Sequence, residues 1–213
     1  MKTDQISINL HSSIRIGGTK VLYLDPWQLP EQTNDADYVF VTHSHYDHYS
    51  VEDIAKVRKA GTVLIVPDGM REQVVRDTGI GAESVIGMKA GESIETDGIS
   101  ITAVAAYNPE KPFHPHSDGF LGFAVSMDDV VYYYAGDTDC TPEVKNVRCD
   151  IALLPIGGKF TMDAAGAAEA AKVICPKTVI PVHYGTFEHI AGKEAVEELK
   201  RLLPADIELV CKI

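Results

Sequence analysis

The chain has 213 residues, 45% apolar and 23% charged, which suits one globular domain over 1–213 that needs no disulfide staples. Nineteen Lys and Arg against 31 Asp and Glu leave a net charge of −12, which argues against general nucleic-acid binding, although a local metal charge can still draw in a small anionic substrate. No stretch nears the ~20 consecutive apolar residues of a membrane helix, the first residues lack the apolar core of a signal peptide, and Cys140, Cys149, Cys175 and Cys211 form no C-x-x-C pair, so they are expected as buried or half-buried thiols in a reducing cytoplasm.

In chain order, Ile6, Ile8 and Leu10 alternate with polar residues, as do Ile14 and Ile16, and both segments read as short strands. Residues 21–24 form a buried run that stops at Asp25-Pro26, since proline lacks a backbone donor. A buried strand over 38–42 follows, then a helix over 51–60, a strand over 62–66 and a helix over 69–78. Strands are expected over 84–87, 93–96, 99–106, 120–127, 130–135 and 151–154. An Ala-rich helix capped by Asp163 runs to 174, followed by a strand over 178–182, a helix over 188–202 and a last strand over 207–210. Hairpins followed by helix–strand alternation, twice over, suggest an α/β fold of two stacked sheets with outer helices, a four-layer αββα sandwich.

Thr42-His43-Ser44-His45-Tyr46-Asp47-His48 follows an apolar strand directly. Three histidines and an aspartate in six positions are improbable by chance when only 8 of 213 residues are histidine. Alternation along an extended chain lets His43, His45 and Asp47 face the same way, with His48 joining them at the turn. Imidazole and carboxylate together suit zinc, iron or manganese, and four ligands this close would crowd a single tetrahedral ion, so two ions are expected.

Here the sequence resembles the metallo-β-lactamase superfamily, whose H-x-H-x-D-H signature stands as His43, His45, Asp47 and His48. Tyr134-Ala135-Gly136-Asp137-Thr138-Asp139 and Pro181-Val182-His183-Tyr184-Gly185 look like its later strand-end segments. The resemblance implies that His43 and His45 bind one ion, that Asp47, His48 and His183 bind a second, and that Asp137 bridges the two. The ions would be divalent, with Zn2+ first and Mn2+ or Fe2+ as alternatives. Such a pair implies a metal-activated hydroxide attacking a small ester, lactone or phosphodiester, with Asp47 also orienting the nucleophile.

One feature departs from the family. Asn108 stands where a third histidine for the first ion is expected, and His114 and His116 come six and eight residues later. His114 is the favoured replacement, with His116, Asn108 itself or water as alternatives. Asp25 is expected to take a hydrogen bond from a ligand histidine, and Tyr46 and Tyr184, which flank ligands, are candidate donors to a developing oxyanion. Residues 157–163, ahead of the Ala-rich helix, are a candidate pocket wall. Without an export signal, a long C-terminal extension or a basic arm, the chain is most similar to the small stand-alone group around ascorbate-6-phosphate lactonase. Two other readings remain at this point: a di-iron redox protein acting on oxygen or nitric oxide, and a non-enzymatic metal-binding module. No membrane partner is expected, and homo-oligomerisation is left open.

Overall fold

Alternation of apolar and polar residues builds the hairpin that opens the first sheet. A computed structural model describes residues 2–213, and two compact units divide the chain, Met1–Lys89 and Ala90–Ile213. In the first unit, β1 (Ile6–Leu10) and β2 (Ser13–Ile16) form an antiparallel hairpin, and β3 (Leu22–Leu24) joins β2 antiparallel. Then β4 (Ala36–Phe40), β5 (Arg58–Pro67) and β6 (Val85–Met88) add in parallel, giving the order β1-β2-β3-β4-β5-β6. Parallel strands bury both faces, and the short, nearly wholly apolar β3 and β4 show it. Helices α1 (Val51–Val57) and α2 (Arg71–Thr78) pack Ile54, Val57 and Val74 onto Val39, Leu64 and Val66.

Helix α1 ends at Val57, three residues short of the expected 51–60 span, because Arg58 is already extended and pairs with Ala36 of β4. At its start, Ser50 caps the helix and donates to Asp53 Oδ2 at 2.7 Å. Asp53 also accepts the backbone N–H groups of Gln28 and Leu29, each at 2.9 Å, and Lys56 Nζ at 2.9 Å. Burial pushes this carboxyl up, but the bonds from Ser50, Lys56 and the two amides win and hold it below its ordinary range. Asp53→Asn is therefore expected to cost about 2–3 kcal/mol in urea unfolding at neutral pH, because donors lose a charged acceptor. The stabilisation is complete above the ordinary carboxyl pKa and fades as pH falls through the lower folded value, so the gap between variant and parent should close in acid.

The second unit carries a seven-stranded sheet in the order β13-β12-β11-β10-β9-β8-β7. Strands β7 (Ser93–Thr96), β8 (Ile99–Ala105), β9 (Leu121–Met127) and β10 (Val130–Tyr134) form an antiparallel meander. Strands β11 (Ile151–Pro155), β12 (Thr178–Val182) and β13 (Glu208–Leu209) continue in parallel. A five-residue helix, α3 (Pro142–Asn146), was not expected, being too short to show periodicity, yet its Thr141 cap and leading proline are sequence signals. Helix α4 (Ala164–Ile174) has Asp163 as its N-cap, accepting from Gly166 N at 2.8 Å. Its alanine face allows close packing against Leu154 and Val179 of the sheet and against Leu199 of α5 (Lys193–Leu202). Helix α5 starts five residues later than expected, since 188–192 is spent on a turn that closes with Gly185 N on Ala191 O at 2.9 Å.

All four cysteines are free. Cys140 and Cys149 are half-buried, and burial pushes the Cys149 thiol up to about 12. Cys175 and Cys211 are exposed, a correction to the expectation that all four are shielded. Among the described residues no helix is long and apolar enough to cross a membrane.

Candidate metal centre

Ligands in open α/β sheets gather beyond the carboxyl ends of strands, and the polar clusters of both units lie there. In the first unit, β3 runs out at Asp25 and β4 leads into the histidine cluster. The chain turns at His45, whose carbonyl accepts from His48 N at 3.0 Å and Tyr49 N at 2.8 Å. That turn brings His48 back beside His43, with ring centroids 4.1 Å apart.

Asp25 organises this cluster. It is fully buried with φ +45°, a left-handed backbone uncommon outside glycine and found preferentially at functional sites. Its Oδ1 accepts Thr42 N at 2.8 Å, and its Oδ2 accepts Thr42 Oγ1 at 2.6 Å and His48 Nδ1 at 2.7 Å. The donor assignments follow from chemistry, because a carboxylate only accepts. Thr42 gives its single hydroxyl proton to Asp25, so its oxygen accepts from His43 Nδ1 at 2.9 Å. Both histidines thus carry their proton on Nδ1 and keep the Nε2 lone pair. His43 Nε2 lies 3.1 Å from His45 Nδ1, and His48 Nε2 lies 3.8 Å from Asp47 Oδ2. A neutral imidazole with its tautomer fixed by an outer carboxylate is the form in which histidine binds metal. This donor set of imidazole lone pairs and a carboxylate fits a divalent transition ion.

One residue that sequence reasoning passed over sits in the same cluster. His11 is fully buried, and its Nε2 lies 3.4 Å from Asp47 Oδ2. A lone histidine at a hairpin tip carries no spacing signal that marks it. Thr42 was visible in the motif, but its role as a relay depends on a rotamer that the sequence does not show.

In the second unit, β10 ends at Tyr134 ahead of Gly136-Asp137, and β12 ends at Val182 ahead of His183. Asp137 is buried, and its Oδ2 lies 3.0 Å from His183 Nε2 and 3.5 Å from His114 Nε2. The His114 ring is oriented by Asn108, whose Oδ1 accepts from Nδ1 at 2.6 Å, while Asn108 N bonds the His114 carbonyl at 2.8 Å. This reciprocal clamp closes the 108–114 loop and turns His114 toward Asp137. His116 is exposed, edge-on to the Tyr107 ring at 4.6 Å, and lines a cleft of about 650 Å³ that none of Asp137, His114 or His183 touches. Lys111 binds the Asp139 carboxylate and the Thr161 carbonyl, tying the loops at 107–119, 137–141 and 157–163 together.

Tyr184 needs correction. It is buried in the packing beneath α4 and α5, and its hydroxyl faces the Ile213 carbonyl at 3.4 Å. Its side chain is committed to the core, in place of the oxyanion contact expected of it. Tyr46 instead is 67% exposed, with its ring edge against Trp27, and burial together with the Asp47 charge raises its phenol, so it stays a proton donor.

Gly157 marks a close approach. A Cβ there would lie 2.4 Å from the His183 carbonyl and 3.0 Å from its Nδ1, and His183 already holds φ +55°. Gly157→Ala is expected to push the His183 ring off Asp137 and weaken metal binding at least tenfold, a shift that competition with a chromophoric chelator reads directly.

Comparison with known proteins shows the family and the fold. A family described as a β-lactamase superfamily domain matches residues 11–184. A UPF0173 metal-dependent hydrolase from Methanoregula boonei is 38% identical over 193 residues, covering 85% of this chain and 82% of its own. A crystal structure from Parabacteroides distasonis, described as a metal-dependent hydrolase, superposes with TM-score 0.78 and 29% identity over 97% of this chain and 91% of that one. A protein from Thermotoga maritima, described as a zinc-dependent hydrolase of the metallo-β-lactamase superfamily, shares the fold with TM-score 0.65 and 20% identity over 97% of this chain and 96% of that one.

Proposed function

Since the chain belongs to the metallo-β-lactamase superfamily, among its metal-dependent hydrolases, we propose that it hydrolyses a small ester, lactone or phosphodiester with two divalent ions, zinc foremost. The observation that carries the reading is Asp25, one buried carboxylate that fixes the tautomers of two imidazoles so that each offers Nε2. Fixing Nδ1 as the protonated nitrogen in both rings leaves Nε2 as the lone-pair atom, the arrangement that metal ligation requires. When bound, such ions polarise the substrate's carbonyl or phosphoryl oxygen and bring the pKa of water down from 15.7 to about 7.

The chain's own groups divide the remaining work. His43, His45, Asp47, His48, His114, Asp137 and His183 are the side chains that would hold the ions. Asp47 is also the carboxylate available to orient the nucleophile and take its proton. The exposed phenol of Tyr46 is the donor for a developing oxyanion. No serine or cysteine nucleophile is required, in keeping with the raised thiols of Cys140, Cys149 and Cys211.

The test is hydrolysis of a panel containing aryl acetates, a γ-lactone and bis(p-nitrophenyl) phosphate, before and after chelation, with metal counted per chain. The expected result is two ions per chain, turnover of at least one class, loss on chelation and recovery on adding Zn2+ or Mn2+. Turnover that survives complete chelation of the folded protein refutes the mechanism. A protein that holds two ions yet turns over nothing in the panel favours a binding module, and a coloured di-iron centre favours redox chemistry.

A further inference from the structure

His11 occupies a turn position with left-handed φ that glycine usually takes. Leu10 pairs with Ser13, so His11-Ser12 is a two-residue hairpin turn. His11 has φ +58°, and Ser12 is absent from the left-handed residues. In such turns the first central residue is ordinarily glycine, because a Cβ there is strained. Hairpin tips also lie in solvent as a rule, yet His11, Ser12 and Ser13 are buried to 0%, 1% and 2% exposure. A strained, buried imidazole at a turn is retained for its side chain.

Where that side chain goes identifies its use. His11, Asp47 and His48 each place one ligand atom within 4.8 Å of the others. His11 Nε2 lies 3.4 Å from Asp47 Oδ2, and His48 Nε2 lies 3.8 Å from the same oxygen. A charge-assisted hydrogen bond would sit at about 2.7–2.9 Å. Two ligands of one tetrahedral ion, each ~2.0–2.2 Å from it, sit roughly 3.3–3.6 Å apart. The His11–Asp47 separation falls in the second range and the His48–Asp47 separation lies 0.2 Å beyond it, both well past a hydrogen bond, with Asp47 at the shared corner. We infer that His11 is a metal ligand, sharing with Asp47 and His48 the ion that this cluster binds. The inference rests on the reading that the cluster binds a divalent ion, and it adds a ligand from the first hairpin that the H-x-H-x-D-H signature does not contain.

The test loads wild-type protein, labelled with 15N-histidine, with 113Cd2+ and looks for scalar coupling between cadmium and each imidazole nitrogen, with His11→Asn assigning the His11 signal. The expected result is coupling at Nε2 of both His11 and His48. Coupling at His48 but not at His11 overturns this inference and leaves the wider reading standing, whereas coupling at neither defeats the wider reading itself. Should His11→Asn not fold, through-bond correlation from the His11 backbone to its ring gives the same assignment in the unaltered chain. Where His11→Asn does fold, and asparagine tolerates a left-handed backbone, it is expected to lower affinity for one ion beyond the roughly 10–100-fold that loss of an outer hydrogen-bond partner causes. His11→Asp, which restores a donor atom, is expected to recover part of that loss. Unchanged affinity in His11→Asn also overturns the assignment.

Discussion

Asp25→Asn is expected to lower divalent-metal affinity roughly 10–100-fold, or about 1.4–2.8 kcal/mol, through a change of tautomer at a residue it need not displace. In the native chain Asp25 Oδ2 takes protons from Thr42 Oγ1 and His48 Nδ1, while Oδ1 takes Thr42 N. An amide has one oxygen for these three donors. If that oxygen stays with Thr42 N, the NH2 group faces His48 Nδ1 and Thr42 Oγ1, and His48 is satisfied only by moving its proton to Nε2. A protonated Nε2 has no lone pair for a metal. In the opposite orientation the NH2 group meets Thr42 N head-on, a buried donor–donor contact that costs ~1–3 kcal/mol of stability. Nitrogen-15 shifts of His48 in the metal-free protein separate the two outcomes, and chelator competition gives the affinity. An affinity equal to wild type, with the His48 proton still on Nδ1, removes Asp25 from the organisation of the site.

The parts of this design that can be read from sequence are those governed by one-dimensional periods. Two-residue alternation in Ile6–Leu10 and in Ile99–Ala105 located their strands, and the clustering of His43, His45, Asp47 and His48 after an apolar strand pointed to a metal. Parts governed by three-dimensional closure are not legible in this way. Helix α1 stops at Val57 because Arg58 finds a strand partner in Ala36, a contact across 22 positions that local propensity cannot sense. Thr42 acts through one rotamer, and His11 reaches Asp47 only because a strained turn is buried. Tyr184 misled for the opposite reason. Its neighbour His183 faces Asp137, but consecutive residues at a strand end diverge, and the phenol enters the packing of α4 and α5.

The contrast between His114 and His116 gives the second large expected effect. Of the two histidines flanking Pro115, the sequence favours His114 over His116 as the replacement for a ligand at Asn108, and the fold treats them differently. His114 is 1% exposed, with Nδ1 held by Asn108 at 2.6 Å and Nε2 at 3.5 Å from Asp137 Oδ2. His116 is exposed and rests on Tyr107. This geometry makes His114 the candidate ligand, with Asn108 orienting its ring. His114→Ala is expected to reduce bound metal from two ions per chain to one and to abolish hydrolysis. His116→Ala should leave occupancy unchanged and alter stability by no more than about 0.5 kcal/mol. Asn108→Ala should fall between them, keeping both ions at high metal concentration but losing roughly 10–100-fold in affinity for one. Elemental analysis after gel filtration, paired with titration against a chelator, reads all three. Two ions retained in both histidine variants would mean that this loop supplies no ligand and that Asn108 holds His114 for packing alone.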